Sequence, residues 1–434
     1  MQKKRYAIVG LGSRSEMYQS AILSSYRDTA ELVALLDNNA GRARLALSQA
    51  KSKGANPAIY PPEEFSQMIT EQRPDVVIVT SNDSTHDHYL CAAMEAGCDV
   101  ITEKPMTIDA ARCERILETQ RRTGRSLRVT FNYRYSPPRT LLKELLLAGT
   151  IGEIRSVDFQ WMLDTHHGAD YFRRWHRKKE NSGGLLVHKA THHFDLVNWW
   201  LGAIPTRVIA SGQRRYATPE MAAALGLRKP GARCRECPET RRCIYYLDLA
   251  KADGMRRLYL EQEKFDGYFR DQCVFSPDTD IEDAMQVLVD YDNGAALTYS
   301  LNAFCAWEGY IVNFNGTKGR LEHKCMESVY MSGDGTVQGA LKPEGTAMRV
   351  YPIRGQAYEV PIPESKGGHG GGDYHLLKDI FAPGAADPLK RAADQRGGAY
   401  SILVGIAANA SIANQSQPIK IDTLVGTVGR PDYP

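Results

Sequence analysis

The sequence predicts an α/β protein whose N-terminal part is a doubly wound parallel sheet and whose remainder is a second α/β domain with mainly antiparallel strands. Three observations predict it. The apolar run Tyr6-Ala7-Ile8-Val9 breaks into Gly10-Leu11-Gly12 and then a helical stretch from Glu16. Short apolar runs and helical stretches alternate from there to Asn132, the pattern of βαβ units in a parallel sheet. After residue 150 the strands change character: Gly152 to Trp161 alternates polar and apolar residues, as half-buried antiparallel strands do.

At 434 residues the chain is too long for one ordinary core. The change of pattern divides it into residues 1–133 and 134–434, with a cysteine-rich insertion over about 213–280 in the second part. The net charge of +3 gives no ground for a nucleic acid or anionic membrane partner. No apolar run approaches the roughly 20 residues of a membrane-spanning helix. The basic start, Met1-Gln2-Lys3-Lys4-Arg5, runs into a strand and a glycine turn, so no cleaved export signal is expected. Nine cysteines, mostly isolated in apolar segments, fit a reducing cytoplasm.

The first elements form a dinucleotide site of Rossmann type. Gly10-Leu11-Gly12-Ser13-Arg14-Ser15 is a G-x-G-x-x-G pattern with Ser15 in place of the third glycine. Gly10 permits the tight turn, Gly12 lets the backbone approach a pyrophosphate, and the amides of Ser13 and Arg14 open the helix onto it. The second strand, Glu31 to Leu36, ends in Asp37, where a carboxylate bonds the ribose hydroxyls of NAD and repels the 2′-phosphate of NADP. Arg42 and Arg44 follow closely and keep NADP open. Further strands run from Asp75 to Thr80, from Cys98 to Thr102 and from Leu127 to Asn132.

Glu103-Lys104-Pro105-Met106 follows the strand ending at Thr102. A lysine at the carboxyl end of such a strand points into the crevice where these sheets hold ligands. The adjacent proline stiffens its backbone. In order and spacing, Gly10-Leu11-Gly12, Thr80-Ser81-Asn82 with His86, Glu103-Lys104-Pro105 and Asn132-Tyr133-Arg134 resemble the Gfo/Idh/MocA oxidoreductases over nearly the whole chain. The resemblance implies a Rossmann domain followed by an α/β domain with a large open-faced, predominantly antiparallel sheet. It implies NAD(P) contacts from Thr80, Asn82, His86, Glu103 and Lys104, a catalytic role for Lys104, and Arg134 at the substrate. It also implies assembly as a homo-oligomer, a dimer or tetramer, through the open sheet.

A helix opening after Ser182-Gly183-Gly184 carries His188, His192 and Asp195 at i, i+4 and i+7, hence on one face. No H-E-x-x-H pattern supports zinc there. Dehydrogenases of the resembled family usually carry Asp-x-x-x-His at this place. His192 matches the histidine, the catalytic partner of the lysine, and His188 stands where the aspartate belongs; His192 is the candidate base, with Lys104 polarising the oxygen, or the two roles are exchanged. An imidazole can still bond a sugar hydroxyl or relay a proton. Asp195 is expected to orient His192 or hold structure. Gly367 to Gly372 surrounds His369, and reads as an ordered loop bringing His369 to a ligand or as a linker. The segment from Thr165 through His166 to Trp175 and Arg177 is dense in polar and aromatic groups, as sugar sites are, or is a solvated loop.

Cys234-x2-Cys237-x5-Cys243, with Cys273 as a fourth candidate, has the spacing of a metal site. Structural zinc, an iron–sulfur cluster and three reduced thiols all fit it. Two reactions fit the whole: an NAD-dependent dehydrogenase moving hydride from a carbohydrate hydroxyl, and a glycoside hydrolase that oxidises transiently, eliminates the aglycone, adds water and returns the hydride. A non-catalytic NAD-binding protein fits the pairing of Lys104 with His192 least well.

Overall fold

The computed structural model describes residues 3–329, 346–363, 369–382, 384 and 386–434. Strands β1 (Lys4–Val9), β2 (Ala30–Leu36), β3 (Ala58–Tyr60), β4 (Val76–Val79), β5 (Asp99–Thr102) and β6 (Leu127–Val129) form a sheet in the order β3-β2-β1-β4-β5-β6. All pairs are parallel. Val76 to Val79 are buried throughout, as a strand covered on both faces requires. The strand order reverses between β1 and β4, and ligands bind beyond the carboxyl ends at such a reversal. The glycine turn, Thr80 and Glu103-Lys104 follow β1, β4 and β5 there. The last strand is shorter than its apolar run suggests. The Phe131 and Asn132 amides turn back onto the carbonyls of Val129 and Thr130, and a 3-10 turn, Asn132–Tyr135, follows.

The second sheet is nine-stranded: β7 (Ile154–Asp164), β8 (Pro205–Gln213), β9 (Ala284–Tyr291), β10 (Ala296–Cys305), β11 (Trp307–Gly316), β12 (Gly319–Val329), β13 (Ala347–Pro352), β14 (Tyr358–Glu359) and β15 (Ile419–Lys420). Its order is β14-β13-β12-β11-β7-β10-β9-β8-β15, antiparallel except for β7 with β10. Val157, Phe159, Trp161 and Leu163 alternate inward along β7 and are buried with Tyr299 and Phe314 of neighbouring strands. The helix Thr191–Leu201 lies on this face: His193 stacks on Trp161, Phe194 packs tilted against Tyr299, and Trp200 packs tilted against Phe159 and edge-on to Phe314.

The long helix Gln395–Ala413 ties the two sheets together. A Cβ on Gly405 would lie 2.2 Å from the carbonyl oxygen of Leu186, and one on Gly398 2.7 Å from Val129. Gly398 thus lets the helix approach β6 closely, and Gly405 lets it approach the helical turn Leu185–His188. The histidine segment is two helices, Leu185–His188 and Thr191–Leu201, rather than one. The Ala190 amide bonds the Leu185 carbonyl, five residues back, which widens the turn and restarts the helix. Between β8 and β9 the insertion contains only short helical turns among the described residues. No helix among the described residues is long and apolar enough to cross a membrane.

Candidate active site

The glycine turn is fixed by its neighbour loop. Gly10 has φ +84°, and a Cβ on it would stand 2.5 Å from the Ser81 backbone. The Thr80 hydroxyl donates to the Gly10 carbonyl at 2.5 Å. Ser15 replaces the third glycine without leaving a polar orphan: its hydroxyl donates to the Gly12 carbonyl (2.7 Å) and accepts from Gln19 (2.9 Å). A Cβ on Gly12 would meet only the Tyr259 hydroxyl, at 3.7 Å, so the face above the turn is open to a ligand. Asp37 accepts from the amides of Leu11 (2.5 Å) and Asn39 (2.7 Å) and pairs with Arg42. Arg42 also pairs with Asp266, and Arg44 lies 5.0 Å over the Phe265 ring.

Thr80, Asn82 and His86 shape loops. Asn82 caps the turn at Ser84 (3.1 Å). His86 is fully buried, with one ring nitrogen 2.9 Å from the Pro105 carbonyl and the other 3.2 Å from that of Ser81. It clips the Glu103-Lys104-Pro105 loop to the Thr80–Asn82 loop, with both ring nitrogens engaged by backbone carbonyls.

Glu103 is equally occupied. It accepts from Arg14 and Tyr18 at 2.7 Å each, and these outweigh its burial to keep its pKa below the ordinary value. Arg14 reaches on to Asp373 at 3.5 Å, which accepts from Asn132 (2.7 Å) and meets His369 Nδ1 (2.9 Å). The glycine-rich segment is therefore bound to the first domain at His369 and Asp373. Gly367 and Gly368 lie outside the described residues.

Lys104 Nζ stands 3.4 Å from His188 Nε2 and 3.2 Å from the His188 carbonyl. His188 Nδ1 is 2.5 Å from Asp83 Oδ2. Lysine, imidazole and carboxylate thus form one line across the domain boundary. Burial disfavours the ammonium and lowers the Lys104 pKa to about 8 against the pull of Asp83 and Glu103. Burial also raises Asp83 well above the ordinary carboxylate value and drives His188 well below that of imidazole. Burial thus disfavours the charged form of each partner across this contact.

Around this line stand His192, Trp175, His176, Tyr133 and Lys189. His192 stacks on Tyr133 at 4.3 Å, and its buried Nδ1 has no hydrogen-bond partner among the described residues. Burial, with Lys104 and Lys189 nearby, keeps its imidazole neutral. Trp175 is half-buried, stacked on His176 at 3.6 Å and edge-on to His188. Lys189 lies 4.5 Å over the Trp161 ring. His369 approaches Tyr133 and His192, whereas His166 is exposed.

Arg134 and Asp195 do not face the substrate space. Arg134 is 1% exposed and binds Asp195 through two contacts of 2.7 and 2.5 Å. That pair corrects the expectation of Arg134 at the substrate: a guanidinium so sealed holds the helix Thr191–Leu201 against the 3-10 turn. It also leaves Asp195 with no contact to His192. Sequence reading did not single out Asp83, Lys189 or Tyr259. Asp83 directly follows the Thr80–Asn82 motif, but nothing in the sequence signals that it meets His188.

Cys234, Cys237, Cys243 and Cys273 all line one small cavity with Leu227, Pro230 and Phe275. Cys237 Sγ accepts from the Gly231 amide (3.2 Å), Cys234 Sγ from that of Leu247 (3.4 Å). Burial raises the pKa of Cys234, Cys243 and Cys273, favouring neutral thiols. Among the described residues no three or more His, Cys, Asp or Glu are arranged to hold a metal ion. The expected zinc or iron–sulfur centre is therefore unsupported; the spacing gathers thiols without drawing them into a ligand set.

The family model described as the NAD-binding Rossmann fold of the oxidoreductase family matches residues 4–131, and that for its C-terminal alpha/beta domain matches 143–421. This chain belongs to the Gfo/Idh/MocA oxidoreductase family. The Bacillus subtilis protein YteT is 37% identical over 433 residues, covering 97% of this chain and 98% of YteT. The D-glucoside 3-dehydrogenase of Escherichia coli is 28% identical over 46% of this chain and 54% of that enzyme. The inositol 2-dehydrogenase/D-chiro-inositol 3-dehydrogenase of Lactiplantibacillus plantarum is 25% identical over 45% of this chain and 51% of that one. Among solved structures, the family fold recurs in the aldose-aldose oxidoreductase of Caulobacter crescentus (TM-score 0.63, 18% identity, 96% of this chain and 100% of that one).

Proposed function

We propose that the protein is an NAD-dependent oxidoreductase acting on a carbohydrate CH–OH, with Lys104 as the base. The carrying observation is the line Lys104–His188–Asp83 at 3.4 and 2.5 Å. The glucoside and inositol dehydrogenases among its relatives support a polyol or sugar substrate. The open face above Gly12 and the close approach required at Gly10 fit a pyrophosphate. Gly10, Gly12 and Ser13 would hold it, and Asp37 the adenosine ribose. Two carboxylates, Asp37 and Asp266, face one guanidinium, Arg42. The excess negative charge disfavours a 2′-phosphate and favours NAD over NADP. Bound there, NAD would supply the acceptor for the carbinol hydride.

Neutral Lys104 takes the hydroxyl proton at Nζ. Its lowered pKa makes that form accessible near neutrality. The His188 carbonyl accepts from Nζ at 3.2 Å and its Nε2 lies 3.4 Å away, so His188 orients the amine, while Asp83 holds the His188 ring from its other side. His192 supplies its unpartnered ring nitrogen to a substrate hydroxyl. Trp175 and Tyr133 offer apolar faces for a sugar ring.

The pair His369–Asp373 beside Tyr133 favours a second reading. It provides a further acid/base couple, which the route of transient oxidation and elimination needs and a simple dehydrogenation does not. Purified protein with NAD is offered inositols, free sugars and aryl glycosides while NADH and aglycone are followed. NADH accumulating with oxidised sugar supports the dehydrogenase; aglycone release without net NADH supports the second reading. No turnover on any CH–OH substrate overturns both.

A further inference from the structure

The cysteine-bearing insertion reaches away from the second sheet to the dinucleotide turn. The Tyr259 hydroxyl lies 3.2 Å from both the Ser13 amide and the Ser13 hydroxyl, and 3.7 Å from where a Cβ on Gly12 would stand. A few residues on, the Gln262 carbonyl accepts from the Asn39 side chain at 3.0 Å and Asp266 pairs with Arg42 at 2.5 Å. These three contacts fall on the loops after β1 and β2, where a dinucleotide's pyrophosphate and adenosine ribose bind. The first helical turn after β2 accommodates the insertion: a Cβ on Gly41 would meet Gln262 at 1.9 Å and the Phe265 ring at 2.6 Å.

The other end of the insertion is anchored on the second domain. Arg270 lies 5.1 Å over the Tyr259 ring and grips Asp170 of the helix Thr165–Arg173 at 2.9 and 3.1 Å. Arg233 is buried between Glu263 and Asp271. Tyr259 is 7% exposed, so its hydroxyl is held in place before any ligand arrives.

We propose that this insertion is a strap that retains the dinucleotide, with the Tyr259 hydroxyl turning from Ser13 to donate a hydrogen bond to the pyrophosphate. The contacts at Asn39 and Arg42 close the ribose end, so release of the cofactor requires the strap to lift. The inference rests on the dinucleotide reading of the turn at Gly10. A cofactor that stays bound suits the second reading above, in which the hydride returns to the sugar that gave it.

The test measures dinucleotide release from the whole protein, by chasing bound NADH fluorescence with excess NAD. Tyr259→Phe keeps the ring and removes the hydroxyl. Gly41→Leu wedges the strap from a position outside the cofactor contacts. Each is expected to speed release about tenfold, the scale of one hydrogen bond to a charged group, with circular dichroism and thermal melting of the cofactor-free protein unchanged. Release at the wild-type rate from both folded variants overturns the strap while leaving the dinucleotide site standing. A wild-type protein that binds neither NAD nor NADP overturns the strap and the reading beneath it together.

Discussion

Replacing Asp83 by Asn removes a charge from the Lys104–His188–Asp83 line while keeping an oxygen that can accept from His188 Nδ1. Orientation is thereby separated from electrostatics. The contacts of 3.4 and 2.5 Å on either side of the imidazole set the two charges within about 8 Å, worth about 2 kcal/mol at an effective dielectric of about 20, or about 1.5 pH units. Burial raises the Asp83 pKa and so weakens its carboxylate charge, which makes this shift an upper bound. The sign follows from the charges. Asp83 stabilises the Lys104 ammonium, so its loss lowers the lysine pKa below about 8. A base acts unprotonated, so kcat/KM for oxidation should rise with pH through about 8 in the wild type. In Asp83→Asn the same limb should lie lower, by up to about 1.5 units. Competitive acetylation of Lys104 at graded pH, read by mass spectrometry, gives the same pKa without a substrate. An unmoved limb, or activity that falls as Lys104 deprotonates, would refute the assignment of Lys104 as base.

Lys104→Ala should abolish turnover while NAD affinity by calorimetry stays within about threefold. Lys104→Arg should fail to restore turnover, because a guanidinium stays protonated. Breaking the sealed pair with Asp195→Ala should cost about 3–5 kcal/mol in urea unfolding, and replacing both partners by apolar residues should recover most of it. Asp37→Ser should lower the preference for NAD over NADP about tenfold, read as the ratio of dissociation constants; an unchanged ratio would place the discrimination elsewhere.

Much of the frame was legible because it rests on local rules. Apolar runs of strand length placed β1, β2, β4 and β5 to within a residue or two, and Gly10 signalled a turn that only a residue without a Cβ can make. The first domain's parallel sheet and the mainly antiparallel sheet of the second followed from the change in alternation at residue 150. Sequence was less informative about side-chain use. Arg134 and Asp195 are polar residues near motif positions, and nothing local distinguishes a substrate clamp from a sealed ion pair. The cysteine spacing gathered four thiols around one cavity, but coordination depends on where the loops point each sulfur.

By itself, the sequence determined the order of elements, the nucleotide turn and the place of Lys104 at a strand's carboxyl end. Those properties depend on neighbours a few residues apart. Tertiary structure alone decided that Asp83 backs His188 across 105 positions, that Arg134 is sealed against Asp195, and that Tyr259 meets Ser13 across 246. Such contacts depend on how the two sheets and the insertion pack, which no local spacing encodes.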